Sequence, residues 1–158
     1  MFTIRVYGIL LNEQQQVLVS DEYILGHYYT KFGGGGLELG EGTIDCLKRE
    51  FIEEMNLNVE VMEHIYTTDF YQRSAFNPEH QMMAIYYRVK ALEPLKVPIS
   101  TAPFQFSDVQ QLAIAQEQEV ESFRFIDWDQ FSADAVTLPI DKVVATLIKE
   151  KYAHAESL

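Results

Sequence analysis

The order of apolar and polar residues near the start of the chain predicts three short strands. Residues 3–11 are rich in strand-forming side chains, residues 12–16 form a polar turn, and residues 17–21 return as a second strand. Residues 28–32 fit a third, shorter strand. Four glycines follow at positions 33–36, and glycine is unfavourable in the interior of both helices and strands. We therefore expect an irregular loop at these glycines.

After Gly42 the spacing of apolar residues changes from every second residue to about every 3.6 residues. This spacing predicts an amphipathic helix over Thr43–Met55, whose apolar face is formed by Ile44, Leu47, Phe51 and Met55. Thr43 is expected to cap the N-terminus, and Asp45 lies in the first turn, where the helix dipole favours an acid. Asn56 tolerates the left-handed conformation, so we expect the helix to end there.

The rest of the chain completes an α/β pattern. Residues 57–71, 82–92 and 122–126 are predicted to be extended. Residues 138–152 form a closing amphipathic helix with a proline near its first turn. Residues 93–118 contain three prolines and show no regular period, so we expect a long functional loop there.

The composition of the chain limits the kinds of molecule that we expect it to bind. The net charge of −12 argues against long nucleic acids, whose backbones require clustered lysines and arginines. Cys46 is the single cysteine, which excludes an internal disulfide and suits a reducing compartment. No targeting or membrane-spanning segment is visible. We therefore expect a cytoplasmic protein, without membrane partners, in which residues 1–158 form one domain.

Three glutamates on the predicted helix are the leading candidates for chemistry. Glu50, Glu53 and Glu54 lie at positions i, i+3 and i+4, so they occupy about one quadrant of the helix surface, away from its apolar face. Like charges at this spacing repel one another and favour a bound cation, for which Mg²⁺ and Mn²⁺ are suited by their preference for oxygen ligands. The alternative is an ordinary solvated acidic face.

Zinc is a less suitable ion, because no cluster of histidine and cysteine ligands lies nearby. No metal-ligand spacing relates the four histidines, which are His27, His64, His80 and His154. Cys46 is expected to be a small packed residue rather than a nucleophile. The glycine run is not followed by Gly-Lys-Ser/Thr, so a P-loop is excluded.

A wider pattern favours the metal-binding interpretation. It has the spacing G-x5-E-x7-R-E-U-x-E-E-x-G-U, with U aliphatic, and the matching residues are Gly35, Glu41, Arg49, Glu50, Glu53, Glu54 and Leu57. This arrangement resembles the Nudix box of the Nudix hydrolase family. Phe51 and Asn56 depart from it, standing where the family has an aliphatic residue and a glycine. Gly33 stands where relatives commonly carry proline.

The resemblance implies a single α/β/α sandwich domain with a mixed β-sheet. It also implies a metal-dependent hydrolase that cleaves a diphosphate bond in a small nucleotide-like substrate by attack of water at phosphorus. Dimers are common among relatives, so a homodimer is one expectation, although the oligomeric state stays open.

The same resemblance assigns roles to the motif residues. Glu50, Glu53 and Glu54 are expected to bind Mg²⁺ or Mn²⁺, with the backbone carbonyl of Gly35 as a further ligand. Glu53 or Glu54 is also expected to act as the base. Arg49 is expected to pair with the carboxylates and orient them, and Glu41 to support the loop and helix geometry.

Two further groups of residues are weaker candidates. Aromatic side chains that could stack on a base or sugar, or simply pack in the core, are Tyr28, Tyr29, Phe70, Tyr71, Phe104 and Phe106. Some relatives place an extra catalytic acid in a late loop, for which the candidates are Glu117, Glu119 and Glu121.

Two other classes of function are weighed beside hydrolysis. A binding module on the same fold would be expected to lack motif glutamates, and none is lost here. An isoprenoid diphosphate isomerase would need a dedicated cysteine outside the helix, and Cys46 is the only one. Among hydrolase substrates, the aromatic flanks favour a linked nucleoside diphosphate, such as ADP-ribose or a nucleotide sugar, over a free nucleoside triphosphate.

Overall fold

The computed structural model describes residues 1–153, so the expectation for His154 lies outside the described residues. Eight strands lie in this range: β1 Phe2–Leu10, β2 Gln16–Ile24, β3 His27–Lys31, β4 Gly33–Gly36, β5 Val59–Thr67, β6 Gln81–Ala91, β7 Ile99–Ser100 and β8 Val120–Asp127. Three α-helices accompany them: α1 Thr43–Met55, α2 Asp108–Ala115 and α3 Pro139–Lys151. A short 3₁₀ turn, Ala133–Ala135, precedes α3.

The strands form two mixed sheets of four strands each. The first has the order β4-β1-β6-β5, in which β1 runs parallel to β6 and the other pairs are antiparallel. The second has the order β3-β2-β8-β7, in which β7 runs parallel to β8 and the other pairs are antiparallel. The α/β class with mixed strand pairing is confirmed, and the strands divide between two sheets instead of forming one.

Alternating residues of the central strands face two hydrophobic clusters, as the two-residue period of a strand requires. Tyr7 and Ile9 of β1 pack in the cluster that contains the buried face of α3. Val6 and Leu10 pack in the cluster that contains the buried face of α1. The sheets are therefore covered by a helix on each side, and α1 is held firmly against them.

The expectation of an irregular loop at the glycines is wrong, because Gly33–Gly36 is a strand that pairs with β1. Its close approach to β1 explains why glycine is needed. A Cβ atom on Gly34 would lie 2.0 Å from the carbonyl oxygen of Val6, and Gly34 has a φ of +151°. Only a residue without a side chain can adopt this backbone beside β1.

The motif helix has the predicted bounds, but its N-terminus differs in detail. Gly42, not Thr43, is the N-cap residue, and it supplies no side-chain cap. The Thr43 hydroxyl instead forms a hydrogen bond of 2.8 Å with Tyr87. Ile44 is exposed, so the predicted apolar face is confirmed only for its three later residues. Asn56 ends the helix in the left-handed conformation (φ 49°, ψ 42°), as predicted.

Residues 93–118 are more regular than the expected long loop, because they contain β7 and α2. Ser107 and Gln110 form a reciprocal capping box at the start of α2. The buried carboxylate of Asp21 accepts a hydrogen bond of 3.3 Å from the Phe104 amide, which fixes the intervening chain to the second sheet. Within residues 1–153, no helix is both long enough and apolar enough to cross a membrane.

Candidate active site

Strand β4, which precedes α1, leaves space for a carboxylate from that helix. A Cβ atom on Gly35 would lie 2.2 Å from the carboxyl carbon of Glu50 and 2.4 Å from each of its oxygens. The absence of a side chain at Gly35 therefore creates the space that Glu50 occupies. The packing of Leu47, Phe51 and Met55 in the core sets the rotation of α1 that aims Glu50 at this space.

Arg49 is the centre of an ion-pair network with three motif glutamates. Its Nε and Nη2 atoms donate to the two oxygens of Glu41 at 2.9 and 2.7 Å, a bidentate arrangement. Its Nη1 atom donates to Glu50 at 2.9 Å and to Glu53 at 3.2 Å. Nη2 also donates to the Gly36 carbonyl oxygen at 3.0 Å, so Arg49 ties the helix to the glycine strand.

The three glutamates differ in how many of their carboxylate oxygens accept a hydrogen bond from Arg49. Both oxygens of Glu41 are engaged by Arg49, and one of them also accepts from the Glu38 amide at 2.9 Å. The hydrogen bonds from Arg49 and the Glu38 amide hold the pKa of Glu41 at about 2. Glu50 and Glu53 each accept a hydrogen bond from Arg49 at one oxygen only.

Cys46 lies beneath this network and is fully buried. Burial and the neighbouring Glu41 carboxylate raise the pKa of its thiol to about 12. The thiol contacts the Gly36 carbonyl oxygen and Arg49. Cys46 is therefore a packed residue, as predicted, and not a nucleophile.

Glu54 points away from the Arg49 network into a neighbouring pocket of about 480 Å³. The charged side chains that line this pocket belong to Arg5, Glu22, Lys31, Glu54, Glu119 and Glu121. The apolar part of its lining comes from Ile24, Leu25, Phe76 and Val120. The pocket is large enough for a small-molecule ligand and combines both signs of charge with an apolar wall.

Two carboxylates in this pocket have raised pKa values. Burial and the repulsion of Glu121 raise the pKa of Glu54 to about 8, although Lys31 opposes the shift. Burial and the repulsion of Glu22 raise the pKa of Glu121 to about 7. Carboxylates thus accumulate here beyond what the local cations neutralise, which favours binding of an additional positive ion.

The weaker candidates from the sequence fall at different places. Of the three late glutamates, Glu119 and Glu121 line the Glu54 pocket, whereas Glu117 is exposed and does not line it. Tyr29 packs edge-to-face on Phe76 at 5.4 Å, so it supports the pocket wall.

Five other aromatic residues lie away from the Glu54 pocket. Tyr28, Phe104 and Phe106 line a separate open cleft. Phe70 and Tyr71 are exposed and do not line either pocket.

Sequence reasoning missed three charged residues of the pocket: Arg5, Glu22 and Lys31. Arg5 stands between the apolar residues Ile4 and Val6, so a lone charge in an apolar strand was the available signal for it. Glu22 follows Asp21 and Lys31 follows Thr30, so neither gave such a signal. Arg5 on β1 and Glu22 on β2 lie in different sheets, so only the folded arrangement brings them together.

Comparisons with known proteins show the family and the fold of the chain. The family model described as the NUDIX domain matches residues 1–147. By sequence, no curated protein is significantly similar to the chain. The chain therefore belongs to the Nudix hydrolase family. It is an enzyme of the pyrophosphatase type.

Solved structures share the fold at low sequence identity. The solution structure of the E. coli ORF135 protein is 13% identical, with a TM-score of 0.66 over 97% of this chain and 93% of that one. A Nudix hydrolase from Nitrosomonas europaea is 15% identical, with a TM-score of 0.65 over 98% and 73%. An ADP-ribose pyrophosphatase from Streptococcus suis is 14% identical, with a TM-score of 0.56 over 98% and 95%. These likenesses support the fold.

Proposed function

We propose that residues 1–158 form one catalytic domain that hydrolyses a nucleoside diphosphate linked to a second moiety, such as ADP-ribose or a nucleotide sugar, with Mg²⁺ or Mn²⁺. The observation that carries this proposal is the pocket beside α1, which presents Glu54 together with Arg5 and Lys31. Carboxylates suit a divalent cation and the two cations suit phosphate oxygens. A pocket lined by both acidic and basic side chains fits a complex of a metal ion with a diphosphate.

The residues present fit Mg²⁺ or Mn²⁺. Within residues 1–153, no three His, Cys, Asp or Glu side chains are grouped so that together they could hold a metal ion. Mg²⁺ requires no such group, because one or two carboxylates suffice when water and substrate phosphates complete its shell. The space that Gly35 leaves for the Glu50 carboxylate places such a ligand beside the backbone of β4. We propose Glu50, Glu53, Glu54 and the Gly35 carbonyl as the ligands, of which one or two carboxylates bind a given ion while water and phosphate oxygens complete its shell.

The remaining catalytic roles belong to side chains of α1 and of Glu41. Glu53 or Glu54 accepts a proton from the attacking water at a carboxylate oxygen. Arg49 holds Glu50 and Glu53 in place, and Glu41 holds Arg49 through both of its oxygens. When bound, Mg²⁺ or Mn²⁺ supplies neutralisation of the phosphate charge and a more acidic water.

The lining of the pocket supports a linked nucleoside diphosphate as the substrate. Phe76, backed by Tyr29, offers an aromatic face, and Ile24 and Leu25 extend the apolar wall. Such a wall suits a base or a sugar at the end of the diphosphate. Two similarly folded proteins are named an ADP-ribose pyrophosphatase and a UDP-X diphosphatase. Both names denote substrates of the linked nucleoside diphosphate class.

A hydrolysis panel tests this proposal. The value of kcat/KM is measured at one Mg²⁺ concentration for ADP-ribose, a UDP-sugar, a dinucleoside polyphosphate and ATP, and then repeated with Mn²⁺. We expect a linked diphosphate to have the highest value, because kcat/KM reports discrimination in the transition state. A preference of about tenfold for ATP over every linked diphosphate would reverse the substrate assignment. Failure to hydrolyse any member with either ion would overturn the reaction class.

A further inference from the structure

Arg5 differs from the other half-buried arginines in lacking a carboxylate partner. Arg49, Arg88 and Arg124 each pair with a glutamate or aspartate at 2.6 to 2.8 Å. Within residues 1–153, no carboxylate oxygen lies within 4.0 Å of the Arg5 guanidinium nitrogens, although the chain has 24 acidic residues. Its Nε donates to the Tyr7 hydroxyl at 2.6 Å, and this is its one side-chain hydrogen bond in the same range.

The two terminal nitrogens of Arg5 are therefore available to the pocket that Arg5 lines. Each carries two N–H groups in the planar fork that matches two oxygens of a phosphate. Glu22 and Glu50 lie near enough to act on Arg5 electrostatically, but no carboxylate in residues 1–153 contacts its guanidinium, so its terminal N–H groups are open to an anionic ligand.

Lys31 places a second positive charge on the same wall of the pocket. It is 4% exposed, and its Nζ lies 3.4 Å from Glu22. Lys31 and Arg5 approach the same tyrosine ring, with distances to the Tyr7 centroid of 5.4 and 5.5 Å. Tyr7 is buried and stacks on Tyr86, so it fixes both cations at a defined place. The two cations repel each other, and Glu22 is within ion-pair distance of Lys31 alone, so an anion between Lys31 and Arg5 relieves the remaining repulsion.

We propose that Arg5, assisted by Lys31, binds a phosphate group of the substrate through its two terminal nitrogens. This inference rests on the proposed function, because it assigns the anion as a phosphate of the hydrolysed nucleotide. Arg5 is a substrate-binding residue in this account, and Tyr7 is a positioning residue that orients it. The acidic wall of the pocket and this cationic pair hold opposite parts of one metal and phosphate complex.

Binding of AMP and of adenosine, measured by calorimetry at a fixed Mg²⁺ concentration, tests the inference without turnover. The variants are Arg5→Gln, Arg5→Lys and the control Lys90→Gln, which removes one positive charge from an exposed position on β6. We expect Arg5→Gln to weaken AMP binding by about tenfold or more and to leave adenosine binding unchanged, because only AMP carries the phosphate. Arg5→Lys restores part of the affinity, since it keeps the charge and loses the fork. Lys90→Gln behaves as the wild type.

Equal AMP affinity in wild type and folded Arg5→Gln would overturn the inference, as would equal losses for AMP and adenosine. Hydrolysis of the substrate panel by the wild type is read separately. If the panel is hydrolysed and AMP binding is unaffected by Arg5→Gln, only the role of Arg5 fails. If AMP binding depends on Arg5 and no panel member is hydrolysed, the anion site stands and the proposed function fails.

Discussion

Asp141 on α3 gives the protein a pH-dependent stability that one substitution should remove. Its side chain is 1% exposed. One oxygen accepts a hydrogen bond of 2.6 Å from the Tyr86 hydroxyl, and the other has no hydrogen-bond partner within residues 1–153. Burial raises the pKa of Asp141 from its ordinary value of 3.8 to about 6, although the Tyr86 hydrogen bond and Lys31 oppose the shift.

The size of the effect follows from this shift. A shift of one pKa unit corresponds to about 1.4 kcal/mol, so a rise of roughly two units corresponds to about 3 kcal/mol. The sign follows from proton binding: between pH 4 and pH 6 the folded protein holds the proton more tightly than the unfolded chain. The contribution of Asp141 to stability is therefore fully present below about pH 4 and is lost as the pH rises through about 6.

Urea denaturation of Asp141→Asn and the wild type between pH 4 and pH 8 measures this contribution. The variant cannot ionise, so its free energy of unfolding should rise relative to the wild type by about 3 kcal/mol across the range. Placing the amide in the core changes the free energy of unfolding by the same amount at every pH, so it does not contribute to this rise. Asp134→Asn, at an exposed position, is the control and should show no such trend. A difference between Asp141→Asn and wild type that stays constant within about 0.5 kcal/mol would refute the reasoning.

Three further substitutions test α1 and the strand β4 that precedes it. Glu53→Gln should lower turnover by about 100-fold or more in steady-state assays, with little change in the urea midpoint, because it removes a charge that binds metal or accepts a proton. Gly35→Ala should abolish most activity, because its Cβ would lie 2.2 Å from the Glu50 carboxyl carbon. The control Gly36→Ala should retain activity, because its Cβ would have no heavy atom within 4 Å. Asn56→Ala should cost about 1 kcal/mol in urea denaturation, because alanine tolerates the left-handed conformation (φ 49°) less well. A fully active Gly35→Ala or a neutral Asn56→Ala would contradict these readings.

The helix of the site could be predicted from the sequence because its signals are local. The spacing of Leu47, Phe51 and Met55 fixes which face of α1 is buried, and therefore where the glutamates point. Asn56 marks the end of the helix by its own conformational preference. These features depend on residues within a few turns of one another.

Features that depend on distant partners could not be predicted in the same way. The glycines form a strand because β1 pairs with them, a contact across about 28 positions of sequence that no local propensity reports. Arg5 and Lys31 meet at Tyr7 only after β1 and β3 are placed in their separate sheets. Ile44 fits the apolar period but lies exposed in the first turn of α1.

The metal dependence of turnover tests the central claim most directly. ADP-ribose is incubated with the metal-stripped protein, and formation of AMP and ribose 5-phosphate is followed while Mg²⁺ is added, removed with EDTA and added again. We predict products only when Mg²⁺ or Mn²⁺ is present, with activity lost in EDTA and restored by the ion, because carboxylates alone cannot neutralise the phosphate charge. Product formation at the same rate in EDTA would contradict the account.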